Sequence, residues 1–186
     1  MPNVKIVLAS ASQSRAALFE GAGLDVLICP ADIDEAVIKD ECRRGDINVA
    51  TTAARLARGK SQKISKLFPD AFVIGADQML DCGGEWLNKP ADMAAAAESL
   101  RFLRGRKHEL VTAVSVVRMG REQWCFADQA TLVMRDFSDE FLETYLDRVG
   151  AAALSSVGAY QLEGVGAQLF ERIDGDYFTI LGLPLL

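Results

Sequence analysis

The chain has 186 residues, half of them apolar, which is enough for one large domain or two small lobes around an extensive core. Lys and Arg together number 20 against 26 Asp and Glu, a net charge of -6, so no global positive field exists to attract a nucleic-acid backbone or an anionic membrane. Any polyanionic ligand must be met by a local basic site, and no apolar run approaches membrane-spanning length. The N-terminal residues lack the charged, apolar and cleavage regions of a signal peptide, which makes the cytoplasm the expected compartment. Cys29, Cys42, Cys82 and Cys125 are scattered without a CxxC pair, and with a single histidine they read as reduced, buried thiols and not as a zinc site or disulfide framework.

Along the chain, VKIVLAS at 4–10 reads as a strand ending in a Ser/Ala cluster, followed by a helix in SQSRAALFEGAGL. VLICP at 26–30 reads as a second buried strand, and the pair Asp34 and Glu35 precedes an expected helix, where a capping or helix-dipole role is the plainer reading. Residues 48–68 have helical spacing with basic residues toward the C-terminal half, and 71–80 form a strand running into a polar end. After a Gly/Pro-punctuated loop at 83–90 come a helix at 91–105, a hairpin of strands 109–118 and 122–136 joined at Gly120, and a helix at 138–150 capped by Ser138. Strand-like AYQLEG and AQLFERI close the chain, which shows no repeat and no linker. The alternation of strands and helices followed by a hairpin predicts an α/β fold, a mixed sheet flanked by helices, with ligands beyond the strand ends.

The polar clusters fall at those ends. SASQSR at 10–15 offers hydroxyls, backbone N–H groups at a helix start and one guanidinium, the makings of an anion cradle; a capped helix with a surface Arg15 is the plainer alternative. Asp77 ends the apolar run FVIGAD, where a carboxylate can hold a divalent cation or take a proton from water, or simply make a turn. Lys60 and Lys89 read equally as surface charges, and His108, with no Ser–His or Cys–His arrangement, reads as structural.

Taken in order, LASASQSR at 8–15, DE at 34–35, LARGK at 56–60, IGADQ at 74–78, NKP at 88–90, LRGRKHELVTAV at 103–114 and GAYQLEGVGAQLFERIDGDYFTILGLPL at 158–185 resemble the Maf family from end to end. The resemblance implies one Maf-like domain over 1–186, elongated, with two lobes around a central cleft, similar to the inosine-triphosphate pyrophosphatase (Ham1-like) fold. It also implies a pyrophosphatase that cleaves nucleoside triphosphates to monophosphate and pyrophosphate, a house-cleaning activity that uses magnesium or manganese. Asp77 falls on the family's proton-acceptor position, Glu35 on a carboxylate suited to sharing a metal with it, and Ser10, Arg15, Lys60 and Lys89 on positions lining the triphosphate path.

Three departures bear on this. Many members have two adjacent arginines where this chain has Ser14 and Arg15, and AALSSV stands where a Trp and a Lys are common. The chain also stops at GLPLL, where relatives usually continue into a C-terminal helix. Ser14, Gln78 and Glu163 match the 7-methyl-guanosine-triphosphate subfamily, whereas thymidine- and uridine-triphosphate pyrophosphatases resemble Arg, Thr and Gln there. The alternatives are that second substrate class and a non-catalytic regulator of septum formation. A nucleoside triphosphate is the expected partner, without nucleic acid or membrane, and the resemblance leaves a homodimer open.

Overall fold

The computed structural model of the chain describes residues 5–186; Val4, where the first expected strand begins, lies outside them. Among the described residues six α-helices flank a seven-stranded mixed sheet, the α/β architecture expected. The strands are β1 (Ile6–Leu8), β2 (Leu27–Ile28), β3 (Phe72–Cys82), β4 (Glu85–Leu87), β5 (Lys107–Arg118), β6 (Arg121–Met134) and β7 (Phe170–Asp174). The helices are α1 (Gln13–Gly21), α2 (Glu35–Arg44), α3 (Val49–Ser65), α4 (Met93–Leu103), α5 (Asp139–Val149) and a short α6 (Tyr177–Ile180).

Strand order is β2-β1-β3-β5-β6-β7, with β4 paired to β3. β1 runs parallel to both neighbours, placing Val7 opposite Leu27 and Val73, while β3–β4 and β6–β7 are antiparallel. Parallel neighbours need crossover connections, and α1 supplies the one from β1 to β2.

The helices begin where short polar residues replace missing backbone partners. The side chains of Ser12, Asp34, Asn48, Asp92 and Ser138 accept from the N–H groups of Arg15, Val37, Thr51, Ala95 and Phe141, three residues on in each case. That pattern made these starts legible. Asp34 is thus the cap of α2, which leaves Glu35 as the first residue of the helix with its carboxylate available for other work.

The chain divides into two compact units. The first holds Met1–Gln78, Val111–Asp128 and Leu181–Leu186, and the second holds Met79–Leu110 and Gln129–Ile180. In the first, Val7, Ala9, Ile64, Ala71 and Val73 form one apolar cluster, and Leu8, Phe19, Ala76, Val114 and Leu183 form another. Alternation along the strands explains the split, because Val7 and Val73 point to one face and Leu8 to the other. In the second unit Leu80, Leu100, Leu103, Leu110, Leu132, Leu142 and Leu169 belong to one larger core.

Several sequence expectations need correction. β2 is not buried: Leu27 and Ile28 are 43% and 50% exposed, because the strand lies at the sheet edge. The loop at 83–90 contains β4, a short return strand too brief to show periodicity. AYQLEG is not a strand. Gly158 and Ala159 both have positive φ, 79° and 62°, which breaks any extended run and leaves short 3-10 turns at Val157–Ala159 and Val165–Leu169. A Cβ at Gly158 would lie 2.7 Å from both the Leu80 and Tyr160 side chains, so glycine is required there twice over. AQLFERI is strand only from Phe170 onward. Of the cysteines, Cys42 and Cys82 are buried, whereas Cys29 and Cys125 are partly exposed.

His108 is structural, as expected. It is 1% exposed, and its Nε2 lies 2.8 Å from the Tyr160 hydroxyl within the second unit's core. Burial pushes its pKa from the usual 6.5 down to about 4. Neutral His108 therefore stabilises the fold fully above pH 6.5, and that contribution is lost as pH falls through the interval down to about 4. The full loss is about 3 kcal/mol. Urea unfolding at pH 7 and pH 4.5 should show the wild type losing about 2 kcal/mol more than His108→Gln, which has no proton to take up; equal losses would place the pH dependence elsewhere.

Candidate active site

The site is built just past the end of β1 and beside the middle of β3, where α3 packs against that strand; Asp77 lies mid-strand and not at the strand end that the sequence suggested. Gly75 makes the crossing possible. A Cβ on it would fall 2.1 Å from the Ala57 carbonyl oxygen and 2.7 Å from the Ser61 backbone nitrogen, both on α3. Only a residue without a side chain lets helix and strand approach this closely. The contact brackets Lys60 in sequence, and Gly75 shares a sheet face with Asp77 two residues on. Close approach at Gly75 thus brings the ammonium of Lys60 to the carboxylate of Asp77.

The two meet at 2.6 Å, Lys60 Nζ to Asp77 Oδ1, and the same Nζ lies 2.7 Å from Glu35 Oε1 at the start of α2. The Lys60 and Asp77 side chains are 10% and 7% exposed, while Glu35 is open at 42%. Burial raises the Asp77 carboxyl above the usual carboxylate range and Glu35 pushes the same way, while Lys60 and Arg15 oppose them. Asp77 Oδ2 is buried and has no hydrogen-bond partner among the described residues. A buried carboxylate oxygen without a partner is costly unless a ligand or solvent satisfies it.

Arg15 is not the surface residue of the plainer reading. It is buried in the first turn of α1, where its Nη1 donates to Ser10 Oγ at 3.0 Å and its Nε to the Gly182 carbonyl at 2.6 Å. Ser10 Oγ also accepts from the Ser12 backbone N–H at 3.2 Å. Desolvation lowers the affinity of the guanidinium for its proton, and the charges of Asp77 and Glu35 counter this. The structure therefore gathers Ser10, Arg15, Glu35, Lys60 and Asp77 in the first unit, two cations facing two carboxylates at a helix N-terminus. Gly182 was missed as a partner of Arg15. Its link comes through a backbone carbonyl 167 positions away, which no local pattern announces.

The remaining expected residues are placed differently. Ser14 is half-buried in the first turn of α1. Gln78 follows Asp77 directly and so turns to the opposite sheet face, donating from Nε2 to the buried Thr112 hydroxyl at 2.9 Å. Lys89 and Glu163 belong to the second unit, Lys89 just after β4 and Glu163 in the turn after Tyr160, and both are exposed.

The donor set suits a hard divalent cation. Two carboxylates converge on one point, as their shared ammonium shows, and Asp77 keeps a spare oxygen. Among the described residues no group of three or more His, Cys, Asp and Glu is arranged around a metal. Asp77 and Glu35 would thus leave the other coordination positions to phosphate and solvent, the usual pattern for magnesium. No helix among the described residues is long and apolar enough to cross a membrane.

An α/β fold that gathers paired carboxylates, an ammonium and a buried guanidinium from one strand and three helices has the equipment of a phosphoryl-transfer hydrolase. The chain matches the family described as Maf-like protein over residues 5–186, and it belongs to that family. It is 46% identical over 183 residues to a nucleoside triphosphate pyrophosphatase of Granulibacter bethesdensis, covering 98% of this chain and 93% of the relative. It is 47% identical over 182 residues to a 7-methyl-GTP pyrophosphatase of Rhizobium etli, covering 98% and 92%. Among solved structures, a HAM1 protein from Coxiella burnetii is similar at a TM-score of 0.46 and 14% identity, covering 72% of this chain and 74% of that one.

Gly75→Ala should test the crossing that assembles the site. The methyl group meets backbone on α3, which cannot swing aside as a side chain could. Unfolding free energy should fall by about 1–3 kcal/mol in urea melts. Turnover by the protein that remains folded should drop as well, because the helix carrying Lys60 is pushed away; wild-type turnover at undiminished stability would contradict the assembly described.

Proposed function

We propose that the chain hydrolyses a nucleoside triphosphate at the α–β phosphate linkage, with 7-methyl-guanosine triphosphate the preferred substrate. The observation that carries the catalytic part is Asp77: buried, ion-paired through Oδ1, and bare at Oδ2. Oδ2 accepts a proton from water as the water oxygen attacks, and the bridging electron pair leaves with pyrophosphate. The other product is the nucleoside monophosphate. Burial favours proton uptake at this carboxyl, which suits a general base. Asp77 and Glu35 would hold magnesium or manganese, which when bound would supply charge neutralisation at the phosphoryl oxygens.

Arg15, Lys60 and Ser10 bind the phosphates. Arg15 comes with its orientation already set by the Gly182 carbonyl, so little side-chain entropy is lost on contact. Lys89 adds a further cation, the role that the family resemblance gives it. The cytoplasmic nucleotide pool is the source of substrate, and removal of modified or unwanted nucleotides is the physiological task.

Base choice rests on Ser14, Gln78 and Glu163. A guanine edge presents adjacent N1–H and N2–H donors that suit a carboxylate, and N7 methylation makes the ring cationic, which adds attraction to Glu163. Ser14, where the thymidine- and uridine-specific type has an arginine, removes a repulsion. Relatives named 7-methyl-GTP pyrophosphatase, including that of Brucella abortus at 46% identity, support this reading.

Asp77→Asn keeps the shape of the side chain and removes its basicity, so turnover should fall by on the order of 10²–10⁴ while nucleotide binding survives. A folded Asp77→Asn protein with near-normal turnover would remove Asp77 from this role. In a panel assay of pyrophosphate release with magnesium, 7-methyl-guanosine triphosphate should outpace thymidine and uridine triphosphates. Glu163→Gln should narrow the difference. Faster hydrolysis of the pyrimidine nucleotides by the wild type would overturn the base assignment and leave the pyrophosphatase reading standing.

A further inference from the structure

Lys60 has a second part to play, one that follows from where its ammonium rests. Nζ is 2.6 Å from Asp77 Oδ1 and 2.7 Å from Glu35 Oε1, so it occupies the point on which both carboxylates converge. A divalent cation shared by the same two oxygens would have to stand about 2.0–2.6 Å from each. Ammonium and cation cannot both fit there. Electrostatics gives the same answer, since Lys60 and Arg15 already balance the two carboxylates, and a bare divalent cation entering an intact set would meet no net attraction to offset its lost hydration.

We infer that Lys60 is a resident stand-in for the cation, and that the nucleotide opens the site by drawing Lys60 onto its phosphates. This rests on the assignment of Asp77 and Glu35 as cation ligands and of Lys60 as a phosphate ligand. The triphosphate offers the ammonium a denser negative charge than the carboxylates do, and it arrives carrying its own divalent cation. The exchange keeps every charge paired: lysine moves to phosphate as the cation moves to Asp77 and Glu35. The motion is confined to the side chain. α3 is pinned by the Gly75 contact and by Ser61, which donates to Ser115 Oγ at 3.0 Å, whereas the four-carbon stem of lysine has rotatable bonds through which its ammonium can be redirected. Cation and nucleotide therefore bind with positive coupling, each raising the affinity for the other.

The test is a manganese titration of nucleotide-free protein, with free Mn²⁺ followed by electron paramagnetic resonance. Wild type, Lys60→Met and Lys60→Gln are compared, each also with Asp77→Asn added, and thermal melts report whether each is folded. Removing the stand-in should raise the Mn²⁺ association constant by at least about tenfold, within the range usual for site coupling. Adding Asp77→Asn should abolish the gain. A folded Lys60→Met or Lys60→Gln protein that binds Mn²⁺ no more tightly than wild type overturns the proposal. Should neither variant fold, the wild type decides: one-to-one, micromolar Mn²⁺ binding without nucleotide, lost in Asp77→Asn, overturns it, and its absence upholds it. Failure of the underlying reading looks different. Pyrophosphate release by wild type that survives exhaustive chelation would remove the cation from this site altogether, whereas metal-dependent release with unchanged Mn²⁺ binding by the lysine variants removes only the coupling.

Discussion

One ammonium held between two carboxylates sets the terms for the rest of the first unit. A buried Asp77 is tolerated because Lys60 lies 2.6 Å away, and Lys60 can be 10% exposed because Glu35 meets its other side. Removing Lys60 takes the ion-pair partner from the buried Asp77 carboxylate, a far larger penalty than the pair contributes as stability when intact. Such an arrangement is a poor device for holding a fold together. It does keep two carboxylates close to one another, on the two sides of one ammonium.

The backbone around this cluster is arranged to deliver it. Gly75 admits α3 against β3, Ser12 starts α1 so that Arg15 falls in its first turn, and Asp34 caps α2 so that Glu35 is freed from capping. Each residue of the site is thus preceded by another with a purely structural duty. The same division appears at Gly182, whose carbonyl fixes the Arg15 guanidinium through Nε while Nη1 meets Ser10. A guanidinium already anchored on one edge presents the other in a fixed direction, which a free surface arginine would not do.

What could be read in the sequence follows from the range over which each cause acts. Helix starts were legible because a cap acts over three residues, and β3, β5 and β6 because they are long enough to show β-rich runs. β4 and AYQLEG were not. The first is three residues long, and the second is bent by the positive φ of Gly158 and Ala159 against the buried His108–Tyr160 pair, a constraint from elsewhere in the chain. β2 was misjudged as buried because an apolar pair reads alike in a sheet's centre or at its edge. The convergence of Ser10, Arg15, Glu35, Lys60 and Asp77 was available only through family resemblance. Taken one by one, each residue had an ordinary explanation, and of the pair at 34–35 it is Asp34 that has the capping role.

An acidic chain that handles a polyanion must solve a release problem as well as a binding one. A site with a large excess of positive charge would hold pyrophosphate and nucleoside monophosphate nearly as firmly as the triphosphate. Within the first unit Lys60 and Arg15 are matched by two carboxylates, so a phosphate bound by either of them would be held in competition with Asp77 and Glu35. The triphosphate tail, with the most charge concentrated in one ligand, competes best. Under the exchange proposed above, cleavage at the α–β linkage would leave two products that each compete less well, and Lys60 would return to the carboxylates as they leave. On this reading the near-neutral balance of the site and the net charge of -6 are of one piece: attraction is confined to the few ångströms where the uncleaved tail fits, and it fades when the tail is cut.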